Sequence, residues 1–161
     1  MKRKLFTLVF AVQDDRVLLG MKKRGFGSGR WNGFGGKVHE GESVAEGAIR
    51  ETQEECGIRL TAFEEVGVHE FEFEKERGSI LEVHVFRSAA WEGDPVETEE
   101  MRPEWFPIDK IPYDEMWPDD RYWFPAFLAK KKFRTRFLFG DGDAVLEQDV
   151  RIIESTIAER G

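Results

Sequence analysis

A chain of 161 residues with 40% hydrophobic and 13% aromatic side chains can bury one compact core, so a single domain spanning 1–161 is the expectation. A formal net charge of −8 argues against a nucleic-acid polymer as partner, because sequence-independent affinity for phosphate chains needs clustered Lys and Arg. An acidic protein can still hold a nucleotide if cations bridge the repulsion, which points toward a divalent metal.

The basic residues Lys2, Arg3 and Lys4 precede residues 5–12, a run that is apolar except for Thr7. It passes into Gln13, Asp14 and Asp15 with no small-residue cleavage site, so it reads as a strand and not as a secretion signal. Arg16–Lys22 is expected to return beside it as a hairpin. No apolar stretch approaches the ~20 residues of a membrane span, so no membrane partner is expected. The single Cys56 has no internal disulfide partner, which suits a reducing compartment: the cytoplasm, with a minor nuclear or mitochondrial pool.

Between Gly25 and Gly41 lie seven glycines, interleaved with Phe26, Trp31, Asn32 and Phe34. A flexible linker would not carry those aromatics, so the segment reads as a structured loop whose backbone approaches something closely. Residues 43–56 follow as a helix, with Ser43 as N-cap, Glu46 completing a capping box and Gly57 as the stop.

Residues 63–74 and 80–91 have strand character across the polar residues 75–79, and Met101–Pro107 is a short strand containing Pro103. Pro118, Asp119 and Asp120 form a helix entry, with residues 122–132 as the helix and Pro125 as a kink. Residues 133–139 and 144–150 are expected to close the domain as a hairpin, and 151–161 to form a loose tail. The first connections are too short for βαβ units, so the fold class is α/β with a mixed sheet and helices on its faces.

On a helix, Glu51, Glu54 and Glu55 fall at i, i+3 and i+4, on one face within a turn. Like charges stacked near a helix C-terminus repel one another and oppose the helix dipole. The bland reading is a solvated acidic face; the alternative is that a cation gathers them. The glycine-rich loop immediately upstream favours the second, since oxygen-rich clusters suit Mg2+ or Mn2+ and Gly36 can offer a backbone carbonyl. The three histidines, His39, His69 and His84, lack ligand-like spacing and read as structural or surface residues.

Gly36, Glu42, Arg50, Glu51, Glu54, Glu55, Gly57 and Ile58, in the pattern G-x5-E-x7-R-E-x-x-E-E-x-G-I, resemble the signature of the Nudix hydrolase family. The resemblance implies the Nudix fold, a mixed-sheet α/β/α sandwich carrying a loop-helix-loop, and hydrolysis of a nucleoside diphosphate linked to another moiety. Glu51, Glu54 and Glu55 match the family's metal-binding carboxylates, and Glu42 and Arg50 match residues that brace the loop-helix-loop. Thr52 stands where the family usually has a bulky aliphatic, and is expected to loosen helix packing.

The resemblance extends from Leu5 to Phe139, to the branch of that family that hydrolyses oxidised purine nucleoside triphosphates. Residues 17–26 (VLLGMKKRGF), 29–38 (GRWNGFGGKV) and 116–125 (MWPDDRYWFP) carry most of it. It implies a damaged purine nucleoside triphosphate as substrate, a monomer, and a purine pocket. That pocket would use Thr7, Leu8, Phe26, Asn32, Phe71, Phe73, Met101, Trp117, Asp119, Asp120 and Trp123, with Lys22 near the phosphates. Glu100 would join Glu51, Glu54 and Glu55 at the metal or position the attacking water. Residues 74–80 depart from the branch, and Leu81 stands where Met is expected, which leaves the pocket rim less defined than its floor. A Nudix pyrophosphatase for ADP-ribose or another nucleoside diphosphate derivative is the alternative activity, and a catalytically silent nucleotide sensor the alternative class.

Overall fold

The computed structural model describes residues 2–153. In chain order these are strand β1 (Lys2–Gln13), β2 (Arg16–Lys22), the short β3 (Trp31–Asn32), helix α1 (Val44–Cys56), β4 (Arg59–Phe73), β5 (Ser79–Glu92), β6 (Met101–Pro107), helix α2 (Asp120–Leu128), β7 (Lys132–Phe139) and β8 (Val145–Ile153). The strands order as β3-β2-β1-β5-β4-β7-β8, with β6 on the other side of β2. β1 runs parallel to β5 and β4 to β7, whereas the remaining pairs are antiparallel, so the sheet is mixed.

Strand periodicity explains why both faces are covered. Along β1, Phe10 packs into one apolar cluster while its neighbours Val9 and Ala11 pack into another; β2 alternates likewise, with Val17 and Leu19 in the first cluster and Leu18 in the second. The first cluster holds Trp123, Phe124 and Phe127 of α2, and the second holds Ala48 and Cys56 of α1. A sheet buried on both faces by helices is the α/β sandwich that the sequence implied.

Helix α1 starts and stops where the residues dictate. Ser43 Oγ accepts from the Glu46 N–H at 3.0 Å, the Glu46 carboxylate accepts from the Ser43 N–H at 2.8 Å, and Gly57 closes the helix in the left-handed region at φ 82°. Thr52 is fully buried with its hydroxyl donated to the Ala48 carbonyl at 2.8 Å, so its polar group is satisfied within the helix and the expected loosening is not seen. Pro103 lies in β6, which pairs only with β2 among the described residues and so tolerates a missing donor.

Several expected boundaries move: β1 begins at Lys2 and not at 5, and α2 at Asp120 and not at 122. β4 begins at Arg59 and not at 63, because Arg59 pairs with Glu92 and Leu60 with Trp91 ahead of register shifts that break the alternation. α2 ends at Leu128 and not at 132: Lys130 adopts φ 62°, and Lys132 already opens β7. β8 continues to Ile153, pairing Arg151 with Arg134 and Ile153 with Lys132, so 151–153 are strand and not tail. The rest of that tail, 154–161, lies outside the described residues.

The glycine-rich segment lies along β1. Val9 and Phe34 exchange both backbone hydrogen bonds, at 2.6 and 2.9 Å, the Thr7 N–H donates to the Gly36 carbonyl at 2.9 Å, and the Val38 N–H donates to the Leu5 carbonyl at 2.9 Å. Trp31 and Phe34 are buried and anchor this segment in the core.

Candidate active site

The loop preceding α1 packs closely on its neighbours. A Cβ on Gly35 would overlap the Thr7 backbone carbonyl, which only glycine avoids, and one on Gly36 would displace the Glu51 carboxylate. The loop is then braced from the helix. Arg50 donates to both oxygens of Glu42 at 2.7 and 3.1 Å and to the Lys37 carbonyl at 3.1 Å, while Glu42 also accepts from the His39 N–H at 2.9 Å. Those bonds hold the Glu42 carboxyl down at about 2, chiefly through Arg50. The bracing role expected of Glu42 and Arg50 is what this geometry performs.

The acidic residues divide by environment. Glu55 is buried, accepts from the Gly35 N–H at 2.9 Å and reaches the cavity described below; burial pushes its carboxyl up to about 7. Glu51 packs beneath Gly36 and is also raised by burial. Glu54 points outward, bonded to Arg50 at 3.2 Å. Glu100, before β6, accepts from Arg24 at 2.8 Å and from Lys22 at 3.5 Å, and these bonds lower its carboxyl.

As they stand, the four carboxylates are neighbours and not a closed ligand set: among the described residues no three acidic, histidine or cysteine side chains converge at metal-binding range. The cause is visible in their partners, because Arg50 holds Glu51 and Glu54 while Arg24 and Lys22 hold Glu100. The donor chemistry nonetheless fits a hard cation. Glu55 and Glu51 each sense a neighbouring carboxylate's charge, and the Gly36 carbonyl, which accepts from Thr7, retains a second lone pair.

Adjoining Glu55 is a cavity of about 320 Å3. All twelve expected pocket residues line it: Thr7, Leu8, Lys22, Phe26, Asn32, Phe71, Phe73, Met101, Trp117, Asp119, Asp120 and Trp123. The Lys22 ammonium stands 4.0 Å from Glu55 and 3.5 Å from Glu100, at the end nearest the acidic helix. Phe71 and Phe73 both line the cavity and pack on the core, so their two readings are compatible. Phe26 is 70% exposed and sits at the rim, 5.1 Å between ring centroids from Trp117.

Asp119 and Asp120 also line the cavity, and both are buried. They do not cap α2: Asp119 has helical φ/ψ and makes no capping bond. Instead the fully buried Trp123 donates its indole N–H to Oδ2 of Asp119 at 2.9 Å and to Oδ1 of Asp120 at 3.2 Å. Trp123 thus orients the two acids, and its one donor is already used. Oδ2 of Asp120 is buried with no hydrogen-bond partner. Desolvation raises both carboxyls, Asp119 to about 6, and the Asp119 charge raises Asp120 further.

The Asn32 side-chain carbonyl accepts from the Gly33 N–H at 2.8 Å, which orients the amide and leaves its NH2 as a donor. His39 sits beside the brace, where its backbone N–H donates to Glu42 and its charge reaches Glu51, whereas His69 and His84 do not line the cavity. His69 is buried, bonded to Thr135 at 2.6 Å and pushed down to about 3 by desolvation, and His84 lies between Glu65 and Glu82.

Several wall residues were not singled out from the sequence: Phe6, Val83 and Phe139, with Arg30 behind Trp117. Strand register would have found Phe139, since it pairs with Phe73 and shares its face. No local signal marks Arg30, a lone base in a glycine-rich loop.

Comparison with known proteins agrees with this geometry. The NUDIX domain model matches residues 2–127. The chain is 51% identical to the oxidized purine nucleoside triphosphate hydrolase of Mus musculus, over 94% of this chain and 97% of that protein. It is 50% identical to the Danio rerio protein of the same name, over 94% and 96%. Among solved structures, a mutator MutT protein from Bacillus halodurans superposes with a TM-score of 0.81 at 26% identity, covering 91% of this chain and 97% of that one.

Proposed function

The chain belongs to the Nudix family, and from that premise we propose that this enzyme hydrolyses oxidised purine nucleoside triphosphates to the monophosphate and pyrophosphate, clearing damaged nucleotides before they enter DNA. The observation that carries this reading is the cavity itself. One cavity is lined by a buried, partly unsatisfied carboxylate pair, by Glu55 and Lys22, and by aromatic side chains. One molecule that fits such a space has a flat base with polar edges and a phosphate chain.

At the buried aspartates, an ionised Asp accepts the N1–H and amino group of an oxidised guanine while a protonated Asp donates to O6. An oxidised adenine presents a different edge, which the shared proton can match by moving between Asp119 and Asp120 without backbone movement. The Asn32 NH2 donates to a further base acceptor, and Trp117 stacks on the base face.

Beside Glu55 and Glu100, Lys22 meets the phosphates. Glu51, Glu54, Glu55, Glu100 and the Gly36 carbonyl would hold a divalent cation, for which we propose Mg2+, with Mn2+ as a substitute. When bound, it would neutralise the charge that spreads over the phosphate oxygens. Binding requires the acids to turn from their basic partners, and the Glu42–Arg50 brace keeps the backbone fixed as they do so. One water adds across the anhydride bond between the α and β positions, its proton passing to one of these carboxylates, and that bond breaks to give the monophosphate and pyrophosphate.

Among the described residues no helix is long and apolar enough to cross a membrane. The free, buried Cys56 suits a reducing compartment, and we place the enzyme in the cytoplasm as a monomer. Phosphorus NMR of the reaction products tests the activity. Equal amounts of monophosphate and pyrophosphate support it, whereas orthophosphate release, or cleavage of ADP-ribose in preference, contradicts it.

A further inference from the structure

The stacking wall is backed by a group outside the cavity. The Arg30 guanidinium lies over the Trp117 ring, 4.3 Å from its centroid, while its Nη1 donates to Oδ2 of Asp143 at 2.9 Å. Trp117 lines the purine cavity; Arg30 lines a separate, shallow cleft with Tyr113, Met116, Pro118 and Tyr122.

Three chain segments are therefore linked through Arg30 and one indole. The glycine-rich loop contributes Arg30 and also Gly27, where a Cβ would come within 3.2 Å of Trp117 Nε1. The lead-in to α2 contributes Trp117 itself, and the β7–β8 turn contributes Asp143, held at φ 61°. Side-chain exposures of 27% and 33% place the Arg30–Asp143 pair in partly excluded surroundings, where it holds its geometry better than a free surface pair. A guanidinium is suited to both contacts together: its plane stacks on the indole while its edge donates to a carboxylate.

We propose that Arg30 is a specificity-determining positioning residue: by pinning the indole of Trp117 from behind, it sets the plane on which the base stacks and so the register in which the base edge meets Asp119 and Asp120. This rests on the reading that the cavity takes an oxidised purine. The charge of Arg30 also reaches both aspartates, where it favours their ionised forms, in keeping with a residue that serves the base-reading end.

The test compares Arg30→Met, which keeps length and loses charge and plane, with Arg30→Lys, which restores charge alone, and Asp143→Asn, which weakens the tether. The first readout is the nitrogen relaxation of the Trp117 indole in the substrate-free protein. The second is steady-state kinetics with oxidised guanine and oxidised adenine triphosphates. Arg30→Met should loosen the indole and raise KM about fivefold while kcat falls less than twofold. It should also change the ratio of kcat/KM between the two substrates. Arg30→Lys should recover part of both effects, and Asp143→Asn should fall between parent and Arg30→Met.

An unchanged indole relaxation in Arg30→Met overturns the clamp, and an unchanged KM and substrate ratio overturns the selectivity role. If the parent protein turns over neither substrate, the functional reading fails and the selectivity role with it, while the relaxation measurement still reports the clamp separately.

Discussion

The backbone N–H of Gly35 donates to Oε1 of Glu55 at 2.9 Å, tying the loop to the acidic face of α1 and aiming the other carboxylate oxygen toward Lys22. Glu55→Gln keeps the side-chain volume and can keep that bond through its amide oxygen, but loses the charge. We expect kcat to fall about 10²–10⁴-fold with the melting temperature unchanged. Turnover close to that of the parent, measured at saturating Mg2+, would remove Glu55 from the reaction. Glu51→Gln should be similarly impaired.

The same loop gives a second expectation. A Cβ on Gly35 would collide with the backbone carbonyl of Thr7, which cannot rotate away as a side-chain tip could. Gly35→Ala should therefore displace the loop and reduce turnover more than it reduces stability. A crystal structure of the variant with the loop in its original place would contradict this.

Trp31 and Phe34 anchor the loop in the core, where they are 6% and 1% exposed. Phe34→Ala should cost about 3–5 kcal/mol of stability, the range for removing a buried aromatic. Trp31→Ala should also lower the melting temperature. An unchanged melting curve for Trp31→Ala would show that its burial beside Phe106 contributes nothing to loop placement.

The paired aspartates make stability depend on pH with a definite sign. Their carboxyls are raised in the folded state, Asp119 to about 6, so the protonated forms fold more favourably. For Asp119 that contribution is full below the ordinary Asp value of about 3.9 and is lost as pH rises through about 6, and for Asp120 it has the same sign. Asp120→Asn removes the penalty while an amide oxygen still accepts from Trp123. It should raise the melting temperature at pH 8 and leave it nearly unchanged at pH 4. Both Asp119→Asn and Asp120→Asn should lower kcat/KM for oxidised purines and alter the preference among them. Parent-like preference and pH profiles in both variants would move base recognition elsewhere.

How far the sequence carried depended on whether the relevant physics was local. The capping box at Ser43, the stop at Gly57 and the spacing of Glu51, Glu54 and Glu55 are neighbours along the chain, and helix and acidic face stood where they were expected. The first residues of β4 were not legible, because register shifts between Leu60 and Phe63 erase the alternation that marks a strand. The pocket list came from resemblance, and all twelve side chains line one cavity; the use Trp123 makes of its N–H depends on where α2 docks, which no local pattern encodes. The Arg30 contact with Trp117 spans 87 positions of sequence and was invisible for the same reason.

The central claim is that this cavity selects damaged purines for pyrophosphate cleavage, and the most direct measurement is kcat/KM across a panel with Mg2+. The panel comprises 8-oxo-dGTP, 2-hydroxy-dATP, their ribonucleotides, an O6-methylated guanine nucleotide, the unmodified triphosphates and ADP-ribose. The predicted result is that the oxidised purine triphosphates exceed their unmodified parents by at least about tenfold and that ADP-ribose is turned over more slowly than any of them. Equal rates for damaged and undamaged purines, or ADP-ribose as the preferred substrate, would contradict it.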